Sequence, residues 1–305
     1  MQAFLQVTVS GLVTGSLYGL LALGIVLIYR TTGVLNFAYG ALSMFGACFL
    51  YILLTGPQLT FWLALPVSLV FAAAMGVALE RLFARPLLNA PVFTKAIGTL
   101  ALALVLRTVA QAIWPQLAQT EHFPAPFETA SFNIGGVYIT AAALAALVVT
   151  VAVVIALNLF LNHTRLGVAM RAAADNQPVA RLMGVPVGLV FMLTWALAAV
   201  VGVLAAILLA SQERIIDIGF MDPVLILAFV AAVLGGLDSL PGALIGGVLV
   251  GLAQNWLALF LAGRQIGPLD IGAPGIREAL IFGVFVLALL LRPQGILGKA
   301  ELRRV

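Results

Sequence analysis

A chain of 305 residues that is 63% hydrophobic and only 9% charged, with a mean hydropathy of +1.18, cannot be a soluble globule. Its net charge of +4 and pI near 9.6 would suggest nucleic acid for a soluble protein, but between long apolar runs the basic residues act as topology signals, so no nucleic-acid partner is expected. One cysteine, Cys48, excludes an intrachain disulfide and a multi-cysteine metal site.

A bilayer core about 30 Å thick takes roughly 20 apolar residues per helical span, and unpaired backbone cannot face lipid. Apolar runs fall at 5–29, 37–55, 60–80, 95–114, 138–160, 188–211, 223–237, 242–262 and 276–291, without the short alternating segments of a barrel. The expectation is an all-α polytopic membrane protein of about nine transmembrane helices, within a range of eight to ten. The first charge is Arg30 and no basic leader precedes it, so the first run is expected to stay as a span rather than be cleaved.

Basic residues then set the sidedness. Arg81, Arg85 and Lys95 lie between spans three and four, Arg165, Arg171 and Arg181 between five and six, and Arg292, Lys299, Arg303 and Arg304 in the tail; these segments are expected in the cytoplasm. Segment 115–137 carries Glu121 and Glu128 without Lys or Arg, and 212–222 sets Arg214 against Glu213, Asp217 and Asp222; both are expected outside. Nine crossings put the amino terminus outside and the carboxyl terminus inside.

Taken in order, the first notable element is the break TTGVLNFAYG, 31–40, between spans one and two. Asn36 suits the cap of a helix beginning near Phe37, a role an Asp would preserve. It also suits a polar position on a pathway at a broken helix. Gly11, Gly15 and Gly19 are spaced by four, as are Gly242 with Gly246 and Gly247 with Gly251, so each set lines one helix face and permits close approach. Arg107, well inside span four, is expected to snorkel outward. His122 and His163 fall on opposite sides and cannot share a metal. Neither a catalytic triad nor HExxH occurs, and GILGKAE (295–301) lacks the spacing of a phosphate loop. The segments GVLNFAYGALSMFGA (33–47) and GGLDSLPGALIGGVLVG (235–251) each break an apolar run and restart with GAL. They read either as a weak internal repeat or as coincidence in a chain rich in Gly, Ala and Leu. The second break falls at the cytoplasmic end or within the membrane.

The stretch RAAADNQPVARLMGVP, 171–186, is polar amid oily neighbours. Asp175 or Asn176 can cap a helix, Pro178 suits its first turn, Gly184 its C-terminal left-handed position, and Pro186 stops it. Val179, Leu182 and Met183 form one apolar face, leaving Asp175 and Arg181 outside it. Such a two-turn helix either rests on lipid headgroups or docks into a groove on a partner.

Together, GSLYGLLALGIVLIYRTTGVLNFAYGALSMFGA (15–47), RAAADNQPVARLMGV (171–185), AAVLGGLDSLPGALIGGVLVGLAQ (231–254) and LRPQGILGK (291–299) resemble the LivH-type permeases, membrane subunits of branched-chain amino-acid ABC importers. The resemblance implies an ABC importer permease fold: one transmembrane permease domain over 1–305, with a cytoplasmic coupling loop at 161–187. It implies a bacterial cytoplasmic (inner) membrane and, besides the lipid bilayer, three kinds of partner: a LivM-like second permease, two ABC ATPase subunits and an extracytoplasmic solute-binding protein. The chain itself would be no enzyme and hold no cofactor. Coupling to the ATPase would fall on Arg171, Ala174, Asp175, Val179, Arg181, Leu182 and Gly184, although many importers carry Glu-Ala-Ala where Arg171 here precedes the alanines. The translocation path would involve Asn36, Phe37, Tyr39, Gly235 and Gly236. Cargo would be branched-chain or other hydrophobic amino acids; urea, short amides or other amino acids are the alternatives within the family. A standalone secondary transporter is the rival class, and would be expected to carry a coupling carboxylate at mid-membrane.

Overall fold

The computed structural model describes residues 2–88, 90–126, 130–266, 269–270, 273–291 and 295–298. Helices occupy every expected apolar run. α1 spans Gln2–Thr32 and α2 Tyr39–Thr55. α3 (Phe61–Leu79) runs on through a π turn, Glu80–Ala84, into the short α4, Arg85–Leu87. α5 (Val92–Ile113) leads into strands β1 (Glu121–His122), β2 (Ser131–Ile134) and β3 (Val137–Thr140). α6 (Ala141–His163), α7 (Arg165–Asp175), α8 (Gln177–Leu182) and α9 (Val187–Glu213) follow, then β4 (Ile215–Ile216), α10 (Met221–Gly235) and α11 (Leu240–Leu261). β5 (Gln265–Ile266), β6 (Leu269–Asp270) and α12 (Pro274–Leu291) complete the described elements. Six helical stretches, those beginning at Gln2, Phe61, Val92, Ala141, Val187 and Leu240, are long and apolar enough to cross a bilayer. α2 and α10 are shorter apolar helices, and α12 has 18 residues. The protein is therefore an all-α, multi-pass membrane protein. Among the described residues the strands form only short two-stranded pairs between helices.

α1 is the axis of the bundle. Its residues from Val13 to Ile28 are almost all buried, because α9, α10, α11, α6 and α7 surround it. Glycine makes the closest of these contacts. A Cβ on Gly15 would stand 2.8 Å from the carbonyl oxygen of Gly247, and one on Gly247 would overlap the backbone of Gly19. Residues 242 and 247 lie about 140° apart around a helix at 100° per residue, so α11 carries two glycine faces. Gly247 and Gly251 meet α1, while Gly242 and Gly246 meet Gly235 and Ala231 of α10. With lipid as apolar as leucine, such van der Waals contact between backbones drives helix association.

Contacts between the loops sort them into two ends. At one end β1 pairs antiparallel with β4, Gln6 exchanges two hydrogen bonds with the backbone of Tyr138 at 2.8 and 2.9 Å, and Phe4 stacks on Trp256. The two acidic segments, 115–137 and 212–222, thus share an end with the start of α1. At the other end Gln177 bonds the end of α1, Arg85 bonds the carbonyl of Gly188, and Ile296 donates to Leu234. Glu128, Arg292, Lys299, Arg303 and Arg304 lie outside the described residues.

Candidate functional site: a polar helix pair and two helix breaks

The polar stretch folds as two capped helices rather than one. Thr164 Oγ1 accepts from the amide of Gly167 at 3.0 Å and starts α7, a helix that the sequence analysis does not place. Gly167, Met170 and Ala173 bury its inner side, and a side chain at 167 would collide with Phe160 and Leu161. Of the two candidate caps for α8, Asn176 is used: its Oδ1 accepts from Val179 N at 3.1 Å, with Pro178 in the first turn. Gly184 takes φ +82°, and Val185 N closes back on Ala180 O at 2.9 Å, which ends the helix.

α8 has two unlike sides. Ala180 is buried, and Gln177 Nε2 reaches Thr31 O at 2.8 Å. On the outer side Leu182 is 86% exposed, Met183 80% and Val179 51%. The expected apolar face therefore exists and is uncovered. Arg171, on α7, is exposed and donates to Asn162 Oδ1 at 2.9 Å; Ala174 is half-buried, and Asp175, Arg181 and Gly184 are exposed around the triad.

The first break occupies 33–38, where Gly33 at φ +65° turns the chain out of α1. Asn36 is 1% exposed. Its Oδ1 accepts from the amide of Ala38 at 3.0 Å, one step ahead of α2, which starts at Tyr39 and not near Phe37. Asn36 Nδ2 is buried with no hydrogen-bond partner among the described residues. Thr99 of α5 holds the break, taking Phe37 N at 3.2 Å and giving to Leu35 O at 3.3 Å. The Phe37 ring lies 5.0 Å from that of Phe229 on α10. Tyr39 is fully buried and donates to Ala198 O at 2.8 Å, filling the space left by Gly24 and Gly202.

The second break, between α10 and α11, turns at Gly236 with φ +108° and is closed by Ser239 Oγ, which caps α11 through Gly242 N at 3.0 Å. Gly235 and Gly236 are both buried. Ile296 N and Leu297 N donate to Leu234 O and Gly235 O at 2.8 and 3.0 Å, so a later segment covers this turn. Gly235 lies six residues beyond Phe229 along α10, about 9 Å at 1.5 Å per residue, which separates the second break from the ring that meets Phe37. Both units share one layout, a positive-φ glycine ending one helix shortly before the next begins.

Three partnerships are not evident from sequence. Gln177 looks like any polar residue in a helix start, and Thr99 like a chance polar residue in span four; a threonine exposed by only 2% in an apolar helix is what marks it. Arg107 does not simply snorkel, since its guanidinium pairs with the carboxylate of Asp222 at the start of α10. Within a hydrocarbon region a nearby carboxylate is the cheaper solution.

Comparison with known proteins finds a match over residues 7–289 to the family described as branched-chain amino acid transport system, permease component. BraD of Pseudomonas aeruginosa, a high-affinity branched-chain amino acid transport system permease protein, is 32% identical across 99% of this chain and 98% of its own length. LivH of Escherichia coli K12 is 29% identical with the same coverage, and a probable LivH of Methanocaldococcus jannaschii is 31% identical over 94% and 90% of the two chains. Among solved structures, PsaBC from Streptococcus pneumoniae in complex with Fab aligns with a TM-score of 0.48 and 17% identity, covering 95% of this chain and 92% of that one.

Proposed function

We propose, from the premise that this chain belongs to the family of branched-chain amino acid permease components, that it is one of two permeases in an ATP-driven importer of branched-chain amino acids. The second permease is a LivM-like chain, two ABC ATPases sit on the cytoplasmic side, and an external binding protein delivers the cargo. In this reading the end carrying α7 and α8 faces the cytoplasm of a bacterial inner membrane, and the amino terminus and the β1–β4 pair lie outside. ATP hydrolysis is assigned to the partners, and no cofactor to this chain.

The observation that carries the reading is the uncovered triad Val179, Leu182 and Met183 on a helix capped at both ends. Burying a Leu or Met side chain contributes about 1.5–3 kcal/mol, so a groove that accepts two of them gains a firm hold on a short rigid element. Arg171, Ala174, Asp175, Arg181 and Gly184 frame that docking surface. A push on α8 reaches α1 through the Gln177–Thr31 bond, and α1 ends at the first break. There Asn36, Phe37 and Tyr39 form the gate of the path, closed in this conformation by burial; opening frees Asn36 Nδ2 and backbone amides for a zwitterionic solute while Phe37 offers apolar contact. Gly235 and Gly236 form the hinge of the neighbouring hairpin.

The test is uptake by the complete reconstituted complex with leucine, isoleucine, valine, urea and short amides. ATP-dependent uptake of the branched amino acids, with no inhibition by urea or amides, is expected. Accumulation driven by an ion gradient through this chain alone would overturn the importer reading.

A further inference from the structure

A cavity of about 500 Å³ opens between the ends of α1, α6, α7 and α11, at the end of the bundle that carries α8. Its chemistry is graded with depth. At the mouth stand two guanidinium groups, Arg30 in the last turn of α1 and Arg171 on α7, with the carboxylate of Asp238 from the second break. The floor is apolar: Leu23 lies seven residues below Arg30, about 10 Å along the helix at 1.5 Å per residue, and Val154, Leu157 and Leu161 form one stripe of α6. Arg30 and Arg171 also line an adjoining cleft together, so the two cations are neighbours.

Among the described residues, neither arginine nor Asp238 belongs to an ion pair, in contrast to Arg85 with Glu80 and Arg107 with Asp222. Arginines at helix ends commonly reach into the headgroup layer as topology signals. That alone does not account for a concave site holding both signs of charge over an apolar floor. The other side of α6 presents Val148, Val151, Ile155 and Leu159 to the surroundings, so the cavity lies beside a lipid-facing helix. Basic pockets between transmembrane helices are recognised sites for lipid headgroups.

We infer that this cavity binds a membrane phospholipid with a phosphoethanolamine headgroup. The phosphate bridges Arg30 and Arg171, the ammonium meets Asp238, and an acyl chain lies along Leu23, Val154 and Leu157. One phosphate against two guanidiniums gains charge-assisted hydrogen bonds, and the acidic residue, repulsive to a purely anionic headgroup, is matched by the amine. Such a lipid spans from α7 to the turn before α11, and holds these two elements at a fixed separation. The site shares Arg171 with the frame of the proposed docking surface but includes none of the apolar triad of α8, Val179, Leu182 and Met183.

The experiment is native mass spectrometry of the full chain released from membranes into detergent and offered defined phosphatidylethanolamine, phosphatidylglycerol and phosphatidylcholine. Phosphatidylethanolamine is retained preferentially. Arg30→Gln with Arg171→Gln lowers its retention about a hundredfold, roughly tenfold for each of the two charge-assisted hydrogen bonds lost. Asp238→Asn removes the preference over phosphatidylglycerol, Val154→Trp lowers retention of all three lipids by filling the floor, and Arg81→Gln, at the same end outside the cavity, changes nothing. Soluble glycerophosphoethanolamine, which lacks acyl chains, does not displace the lipid. Undiminished retention in the double arginine variant, a wild-type preference for phosphatidylglycerol, or ready displacement by glycerophosphoethanolamine or inorganic phosphate would each overturn the proposal. Thermal melting of every variant identifies any that fails to fold, and in that event Asp238→Asn, on an exposed side chain, decides the headgroup assignment.

Discussion

Gln177, the first residue of α8, donates from its side chain to the carbonyl oxygen of Thr31, in the last turn of α1, at 2.8 Å. The last carbonyls of a helix have no intrahelical partner, so this bond satisfies an orphan acceptor and ties the polar segment to the most buried helix of the bundle. Gln177→Ala should cost about 1 kcal/mol of stability, the usual net worth of one hydrogen bond. It should also lower uptake per ATP hydrolysed while the ATPase still copurifies. Equal coupling in the variant would place the mechanical link elsewhere.

Leu182 projects from the same helix with 86% of its surface exposed, so a polar replacement has nothing to disrupt within the chain. Leu182→Asp should leave expression and melting temperature unchanged. Placed against an apolar groove, the carboxylate should weaken ATPase docking by about tenfold or more, the cost of burying an unpaired charge. Copurification and uptake at matched abundance measure this, and normal transport would remove α8 from the interface.

The outward face around Leu182 is legible in the amino-acid sequence, because cap, proline, glycine and apolar spacing are all local signals. The nine apolar runs are legible for the same reason, with ends shifted by a few residues, as at α1, which begins at Gln2 rather than near residue 5. Long-range pairings are not. Nothing in the sequence ties Gln177 to position 31, Arg107 to Asp222 or Glu121 to Ile216, since each depends on which helices become neighbours. α7 has two clear sides, but Gly167 and Ala173, two of the three residues on its buried side, are small, so a search for large apolar anchors passes over Arg165–Asp175.

Asn36 carries a further prediction. Asn36→Leu removes the acceptor for Ala38 N inside the protein and should cost about 1–3 kcal/mol, with a loss of uptake greater than the loss of assembled complex. From sequence, Asp serves as the conservative control; at 1% exposure it instead buries a carboxylate, so Asn36→Asp should assemble less well than the wild type. Abundance, complex formation and uptake of both variants are the measurements. Uptake that falls only in proportion to complex would make Asn36 a structural residue.

Glycine packing gives a sharp contrast. At Gly247 an added methyl overlaps the backbone of Gly19, whereas at Gly275 it meets open space. Gly247→Ala should therefore destabilise by about 1–3 kcal/mol, the range for overpacking, and Gly275→Ala should be neutral. Thermal melting in detergent separates them; equal melting points would mean that α1 and α11 can spread at no cost.

The Arg107–Asp222 pair predicts rescue by charge reversal. Either Arg107→Asp or Asp222→Arg alone sets like charges together and should reduce abundance in the membrane; the two together should recover most of it. Failure of the double variant to recover would show that one of the two groups acts through another partner.

The seam between Gly15 and Gly247 joins positions 232 apart in sequence. At translation speeds of about 5–20 residues per second, roughly ten to fifty seconds pass between synthesis of the two. α1 is thus inserted before any of the helices that cover it, and its glycine stripe is covered last among its contacts. In that interval its glycine stripe, shaped for a backbone neighbour, faces lipid or an insertion chaperone, and a nascent chain stalled before α11 presents to the quality-control proteases a bare helix face that the finished molecule never shows.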